Sequence, residues 1–239
     1  MEDGSVKETE RIDSGAECIN RLLKGGYEKG IITTIYGSGG SGKTNLCLLA
    51  TAAVARSGKK VVYADTEGNF SMERFKQIAP DYKKLLDKII VIKITDFEQQ
   101  KSVFDRIDQI ISDDTGLFVI DSVASLYRIE RDDNPDEVTE INRDLGRQLY
   151  KISKTARTKE IPVLVTNQVW QSFEDNSMRM VGGNLLRYSS KCIIELGRTG
   201  KGRRRAVLKK HRSLPEESEV EFMIVSEGIK TLSRQEEKA

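Results

Sequence analysis

Hydrophobic and polar positions along most of the chain predict strands and helices in turn. Short β-branched apolar runs indicate strands, and apolar residues every three or four positions indicate helices. The predicted strands are residues 31–36, 60–65, 89–94, 117–121 and 161–166, and the predicted helices are residues 44–57, 72–79, 97–111 and 138–156. Because strands alternate with helices, we expect an α/β fold with a mostly parallel sheet and helices on both faces.

The pattern changes after residue 189, where no further helix is predicted. Residues 191–196, 205–210 and 219–225 have the composition of strands and are separated by short turns. They predict an antiparallel C-terminal extension of the same sheet. Residues 1–13 are mostly polar and predict a flexible arm, whereas no linker interrupts residues 14–239, which we expect to form one domain.

A glycine-rich segment follows the first predicted strand and precedes a predicted helix. It consists of Gly37, Ser38, Gly39, Gly40, Ser41, Gly42, Lys43 and Thr44, and it fits the pattern G-x-x-x-x-G-K-[ST]. Glycines let successive backbone N–H groups point at phosphate oxygens, and the helix N-terminus adds partial positive charge. Lys43 supplies a cation for the β- and γ-phosphates, and Thr44 supplies a hydroxyl for Mg²⁺. The segment therefore predicts a site for a nucleoside triphosphate with magnesium.

Two carboxylates follow other predicted strands. Asp121 ends an apolar run, where an aspartate can hold the magnesium shell through water, and its alternative role is that of a helix cap. Glu67 lies just past the strand at residues 60–65, where it could orient the attacking water, and its alternative is a solvated turn residue. Parallel strands bring both positions to the edge of the sheet where the glycine-rich segment lies.

Charge is informative through its distribution. Lysine and arginine number 39 and aspartate and glutamate 37, so the net charge of +2 indicates no partner by itself. Eight cations without an acid among them lie between residues 198 and 212, namely Arg198, Lys201, Arg203, Arg204, Arg205, Lys209, Lys210 and Arg212. The run predicts contact with DNA phosphates without sequence preference, chiefly through Lys201 and Arg203–Arg205. The alternative is a sheet edge protected by charge.

The three cysteines have neither metal-binding nor disulfide spacing, and no leader or apolar span is visible. We therefore expect a cytoplasmic protein with no membrane partner.

Five segments together resemble the RecA/RadA recombinase core, and most closely a short archaeal paralogue. They are the glycine-rich segment and residues 63–70, 117–121, 165–169 and 182–187. The resemblance implies a RecA-like P-loop NTPase core with ATP and Mg²⁺ as cofactors. It also implies that Glu67 is the catalytic base, that Gln168 senses the γ-phosphate, and that Arg74 packs against adenine. The alternative for Arg74 is an ordinary exposed charge on a helix.

The same resemblance implies candidate DNA contacts and partners. Arg128 and Arg131 match its first DNA loop and Trp170 its second, where the indole could stack on bases or pack into the sheet edge. The implied partners are single-stranded or branched DNA, a full-length RadA-type recombinase and a Holliday-junction nuclease. Recombinases of this kind form filaments through a phenylalanine ahead of the core, and none precedes Phe70. We therefore expect only weak homo-oligomers.

The resulting hypothesis is an ATP- and DNA-binding accessory protein of recombination and repair, with weak ATPase activity and no strand exchange of its own. The alternative is a self-assembling RecA-like ATPase switch of the clock-protein or DnaB-like type, without a DNA role. DNA affinity with a steep salt dependence discriminates between the two.

A final pair of residues has two open interpretations. Lys210 and Arg212 resemble the element that contacts the neighbouring subunit's γ-phosphate in ring-forming relatives, and a strand would point both to one side. The alternative is that they extend the DNA-binding run.

Overall fold

The computed structural model describes residues 9–130, 135–171, 178–200 and 202–232. The strands are β1 Arg11–Ile12, β2 Tyr27–Glu28, β3 Ile32–Gly37, β4 Lys60–Asp65, β5 Ile89–Lys93, β6 Thr115–Asp121, β7 Val163–Asn167, β8 Val169–Gln171, β9 Met178–Met180, β10 Cys192–Gly200, β11 Arg203–His211, β12 Glu219–Val225 and β13 Gly228–Thr231. The α-helices are α1 Glu17–Leu22, α2 Lys43–Arg56, α3 Met72–Ile78, α4 Phe97–Asp105, α5 Ile107–Ile110, α6 Ser125–Glu130, α7 Pro135–Thr158 and α8 Gly183–Ser189.

The main sheet has the strand order β13-β12-β11-β10-β3-β7-β6-β4-β5. The strands from β10 to β5 are parallel, and β10 to β13 are joined by antiparallel pairings. The predicted α/β class, with a parallel core and an antiparallel extension, is confirmed. The carboxyl ends of β3, β7, β6 and β4 therefore lie side by side along one edge.

Each face of the sheet has its own hydrophobic core. One face is covered mainly by α1, α2 and α3, and includes Leu46, Phe75 and Leu117. The other is covered by α4 to α8, and includes Phe104, Phe118 and Leu149. In the described part of the chain, no helix combines the length and apolarity needed to cross a bilayer.

Several elements differ from the sequence-based expectation. The helix predicted at residues 97–111 breaks after Asp105, because the Asp105 carbonyl accepts a hydrogen bond from the Lys151 ammonium on α7. The first C-terminal strand, β10, pairs parallel to β3, and β13 adds a strand at the sheet edge. Within the predicted arm, residues 1–8 lie outside the described residues, whereas Arg11–Ile12 pairs with β2.

Candidate nucleotide-binding site

The glycine-rich segment forms the loop between β3 and α2, and two of its glycines occupy positions that a larger residue would not fit. A Cβ on Gly37 would lie 2.3 Å from the Leu196 carbonyl oxygen of the neighbouring strand. Gly42, at the N-terminus of α2, has a φ of +107°, and a Cβ there would lie 3.1 Å from Ile224. Residues of β10 and β12 thus pack directly against the loop.

The Lys43 side chain is folded back into this loop. Its ammonium donates hydrogen bonds to the carbonyls of Gly37 (2.9 Å) and Ser38 (3.1 Å). Burial lowers the pKa of Lys43, and the nearby carboxylates of Glu67 and Asp121 oppose this shift. Loss of solvent makes this ammonium a stronger electrostatic partner for an anion in the loop.

Asp121 lies at the end of β6 and is 1% exposed. One carboxylate oxygen accepts hydrogen bonds from the Thr44 hydroxyl (2.9 Å) and the Tyr63 hydroxyl (2.9 Å), and the other accepts one from Thr166 (2.5 Å). Burial raises the pKa of Asp121, and these hydrogen bonds oppose that shift. The predicted pair of Thr44 and Asp121 is therefore brought together, while Tyr63 and Thr166 had not been predicted.

Glu67, just beyond β4, meets Gln168, just beyond β7. The Gln168 amide donates to one Glu67 carboxylate oxygen (2.9 Å), and the Asn69 amide donates to the other (2.7 Å). Glu67 and Gln168 line one cavity of about 520 Å³ together with Gly40, Lys43 and further loop residues. The residues predicted to bind the triphosphate, to orient the attacking water and to sense the γ-phosphate thus line the same cavity.

The groups around the cavity include oxygen ligands for Mg²⁺ and hydrogen-bond donors for a triphosphate. The Thr44 hydroxyl and Asp121 carboxylate offer the hard oxygen ligands that Mg²⁺ prefers, either directly or through water. The loop offers a glycine-lined cradle and a half-buried lysine for phosphate oxygens. The residues present therefore fit this cofactor pair.

Arg74 has several contacts within the chain. Its guanidinium donates to Asn45 Oδ1 (2.7 Å) on α2 and to the carbonyls of Val225 (2.8 Å), Ser226 (2.9 Å) and Gly228 (3.2 Å) at the β12–β13 turn. Arg74 therefore connects α2 and α3 to the C-terminal hairpin. Its role beside adenine stays a prediction.

The cationic run on β10 and β11 is divided between the two faces of the sheet. Strand alternation places Arg204 on the face of Ala206 and Leu208, which belong to the core beneath α2, and Arg203 and Arg205 on the opposite face. The Arg204 guanidinium donates to the Gly40 carbonyl of the phosphate loop (3.1 Å). Arg204 therefore lies on the other side of β11 from Arg203 and Arg205, and contact of the three arginines with DNA stays a prediction.

Other cations of the run have acidic or carbonyl partners in the same chain. Arg205 pairs with Glu219 (3.4 Å), and Lys209 pairs with Glu217 (2.6 Å). Lys201 lies outside the described residues. The DNA role of the run stays a prediction, now with fewer unpaired cations than the sequence suggested.

Lys210 and Arg212 do not converge on a common point. The Lys210 ammonium donates to the carbonyls of Arg187 (2.6 Å) and Ser190 (2.8 Å). Arg212 lies one residue beyond β11 and forms an ion pair with the Glu28 carboxylate, which is 2% exposed. Each side chain thus contacts a different element of its own chain, and a shared contact with a neighbouring subunit's phosphate stays a prediction.

The remaining DNA candidates lie apart from the nucleotide cavity. Arg128 is exposed at the end of α6, and Arg131 lies outside the described residues. Trp170 on β8 is 46% exposed and lines a cavity of about 530 Å³ with Gly182–Leu185. An indole exposed to this extent is available for stacking, which favours that interpretation over packing into the sheet edge.

Comparisons with known proteins agree on one family. The Rad51 family profile matches residues 6–232. The chain is 39% identical over 222 residues to the DNA repair and recombination protein RadB of Methanococcoides burtonii, covering 92% of this chain and 98% of that protein. It is 41% identical over 233 residues to RadB of Thermoplasma volcanium, covering 96% of each. A crystal structure of the RadB recombinase has a TM-score of 0.79 at 33% identity and covers 93% of this chain and all of that one.

Proposed function

Because the chain belongs to the Rad51 family and, within it, to the RadB DNA repair and recombination proteins, we propose that it is an ATP- and DNA-binding accessory protein of homologous recombination. In this proposal residues 14–239 form one RecA-like ATPase core. The protein mediates or regulates a full-length recombinase, hydrolyses ATP slowly, and carries out no strand exchange of its own.

One observation carries the nucleotide part of the proposal. Lys43, Thr44, Glu67 and Gln168 line one cavity, and Thr44 is hydrogen bonded to Asp121 beside it. Chance glycine-rich turns do not bring together a lysine, a hydroxyl–carboxylate pair and a second carboxylate at the ends of three parallel strands. The arrangement supports ATP over a ligand without a triphosphate.

Each residue then has a distinct role. The loop N–H groups and Lys43 bind the phosphates, and Thr44 with Asp121 holds the cation shell. Mg²⁺ would neutralise phosphate charge when bound. Glu67 orients the attacking water and accepts its proton, and Gln168 contacts Glu67 until the γ-phosphate competes for its amide.

The DNA and partner components rest on family membership and on exposed or half-buried groups of this chain. Arg128, Trp170 and Arg203 are the described residues that we propose to contact DNA, without sequence preference. The alternative of an ATPase switch without a DNA role is less well supported, because relatives matched over most of this chain are named for DNA repair and recombination.

The nucleotide assignment is tested with Lys43→Ala. Titration with a fluorescent ATP analogue and magnesium should show a loss of at least about 100-fold in affinity, because the bound phosphates lose a desolvated cation. Lys59→Ala, at the exposed C-terminal side of α2, is the matched control and should bind like wild type. Equal affinity in both variants would refute the assignment.

The accessory role is tested by a pull-down with a RadA-type recombinase, with and without ATP. If the recombinase captures the wild-type chain but not the Lys43→Ala variant, the result supports the mediator role. Strand exchange by this chain alone would refute it.

A further inference from the structure

The long helix α7 presents an exposed face whose residues share positive charge and aromatic character. Arg147, Tyr150, Lys154 and Arg157 recur at spacings of three or four, so they lie on one side of the helix. The side chain of Arg147 is 70% exposed and Tyr150 is 67% exposed. From Leu145 to Lys159 the chain contains no acidic residue.

Neighbouring elements extend this face with the same chemistry. Tyr188 at the end of α8 is 75% exposed, and the exposed Lys191 follows it. Tyr150, Arg157, Tyr188 and Lys191 line one groove of about 420 Å³. Tyr150 also lines an adjoining cavity of about 460 Å³ with Arg147 and Lys154, so its ring stands between two concave surfaces.

Gly146 is a second feature of this groove that packing within the chain does not explain. It lies in the interior of α7, where glycine destabilises a helix by about 1 kcal/mol relative to alanine. A Cβ on Gly146 would meet only Leu185, at 3.8 Å, which is an ordinary contact. Packing therefore does not require glycine here, but Gly146 lines both cavities and keeps the floor between them open.

The helix dipole does not account for these features. Cations near a helix C-terminus are stabilising, but the effect falls off within the last turn, and Arg147 lies three turns from Thr158. The dipole also gives no reason for two exposed tyrosines or for Lys191, which is outside the helix. The acids nearby have partners. Asp105 and Asp108 line the second cavity, where Asp105 pairs with Lys151 and Asp108 accepts a hydrogen bond from Thr155. Asp144, one turn earlier on α7, pairs with Lys101 and with Arg147.

A single helix, α8, connects the groove with the cavity of Trp170. Helix α8 runs between the two, because Gly183–Leu185 lines the cavity of Trp170 and Tyr188–Ser189 lines the groove of Tyr150. From Asn184 to Tyr188 the helix rises about 6 Å, which is a short step for an extended polynucleotide. Trp170, Tyr188 and Tyr150 thus offer three exposed rings along one side of the molecule.

We propose that the face formed by Arg147, Tyr150, Lys154, Arg157, Tyr188 and Lys191, here called the α7–α8 face, binds single-stranded nucleic acid that continues from the Trp170 loop. Stacking platforms beside cations are the features that bind unpaired bases and their phosphates. Duplex DNA, with its bases stacked internally, cannot use the tyrosine rings. The inference rests on the proposed DNA-binding function and adds a second segment to its path.

The test measures two signals on the intact chain with a fluorescein-labelled oligothymidylate. Anisotropy gives the overall affinity, and the fluorescence of Trp170, the single tryptophan, reports contact at the loop. Tyr150→Ala combined with Tyr188→Ala should weaken affinity by at least about 25-fold, since removal of each stacking ring is expected to cost about 5-fold or more. The matched Tyr→Phe pair keeps both rings and should bind like wild type.

Two further variants test the positive charge of the α7–α8 face and the open space beside Gly146. Lys154→Glu with Arg157→Glu should flatten the salt dependence of log affinity by about 0.7 for each phosphate that the protein no longer neutralises. Lys83→Glu with Lys84→Glu, exposed on the other face of the sheet, is the matched charge control. Gly146→Gln should strengthen the helix yet weaken oligonucleotide binding, because its side chain fills the groove.

The outcomes separate this inference from the proposed function. Unchanged anisotropy in the tyrosine-to-alanine pair, with Trp170 quenched as in wild type, would overturn the α7–α8 face and leave DNA binding intact. Absence of oligonucleotide binding in wild type would overturn both. Displacement of the oligonucleotide by polyglutamate at equal concentration, insensitive to the tyrosines, would instead identify an acidic protein partner and also overturn the inference.

Discussion

At the scale of single residues, Glu67 is the group on which the proposed hydrolysis depends. Its two oxygens accept hydrogen bonds from Gln168 and Asn69, which hold the carboxylate at the cavity. Glu67→Gln should retain nucleotide affinity but lower phosphate release by about 10²–10⁴-fold, because an amide cannot accept the proton of water. Asn69→Ala, which removes only the outer hydrogen bond, should reduce turnover far less. Unchanged turnover in Glu67→Gln would transfer the role to another group.

Neighbouring arginines of β11 should have different functions. Arg204 donates to the Gly40 carbonyl, which helps to fix a peptide of the phosphate loop, whereas Arg205 pairs with Glu219 on the other face of the strand. Arg204→Ala should therefore weaken ATP affinity by about 10-fold, the effect of removing one charge-assisted hydrogen bond. Arg205→Ala should leave ATP affinity unchanged. Titration of both variants with the same nucleotide analogue checks this, and equal affinities would contradict it.

The sequence predicts the residues of the site whose positions follow from local pattern. The loop, Asp121 and Glu67 follow predicted strands, and parallel pairing brings such ends together. Gln168 was expected only from the resemblance to the recombinase family. Tyr63, Thr166 and Arg204 were missed because their contacts depend on strand order and on the face each side chain occupies. A polar residue inside a buried strand, such as Tyr63 or Thr166, was the available signal.

At the scale of elements, the small β1–β2 sheet is attached to the main sheet by a buried polar contact. His211 on β11 lies 3.7 Å from the Glu28 carboxylate, and its Nδ1 accepts a hydrogen bond from the Ser213 N–H. Burial, with the nearby Arg11 charge, lowers the pKa of His211 below 6.5. The imidazole is therefore neutral in the folded chain near pH 7.

This contact predicts how stability depends on pH. Below pH 6.5 the unfolded chain protonates His211 while the folded chain resists, so stability is lost as the pH falls from about 6.5 toward the folded pKa. The loss approaches about 1.4 kcal/mol per pH unit at its steepest. Urea unfolding from pH 7.5 to 5 should show a steeper decline in wild type than in His211→Gln, since the chain has one histidine. Parallel profiles would contradict this prediction.

Helices and strands were predicted correctly where the apolar periodicity is strong. They were missed where contacts between distant parts of the chain determine the local structure. The spacing within α7 gave its existence and most of its length, and β12 was predicted with its observed bounds. The break after Asp105 was not visible, because the Lys151 contact joins residues 46 positions apart. Strand β13 is short and depends on its pairing with β12, which no local pattern specifies.

At the scale of the whole molecule, the C-terminal cations affect both stability and assembly. Arg212 pairs with Glu28, which is almost fully buried, and Lys210 ties β11 to the carbonyls around the end of α8. If Arg212 moved to a neighbouring subunit's phosphate, it would leave a buried carboxylate without its cation. That penalty opposes the trans role, which is one of the two interpretations that the sequence left open.

Arg212→Ala should therefore act through folding. We expect a loss of up to about 3 kcal/mol of unfolding free energy, because a buried charge loses its partner. Glu28→Gln in the same chain should recover much of the loss, since it removes the unpaired charge. ATP turnover per chain should respond to dilution equally in wild type, Arg212→Ala and the double variant. If turnover instead rises with concentration in wild type alone, while Arg212→Ala keeps its stability, then Arg212 acts across a subunit interface and its contact with Glu28 is secondary.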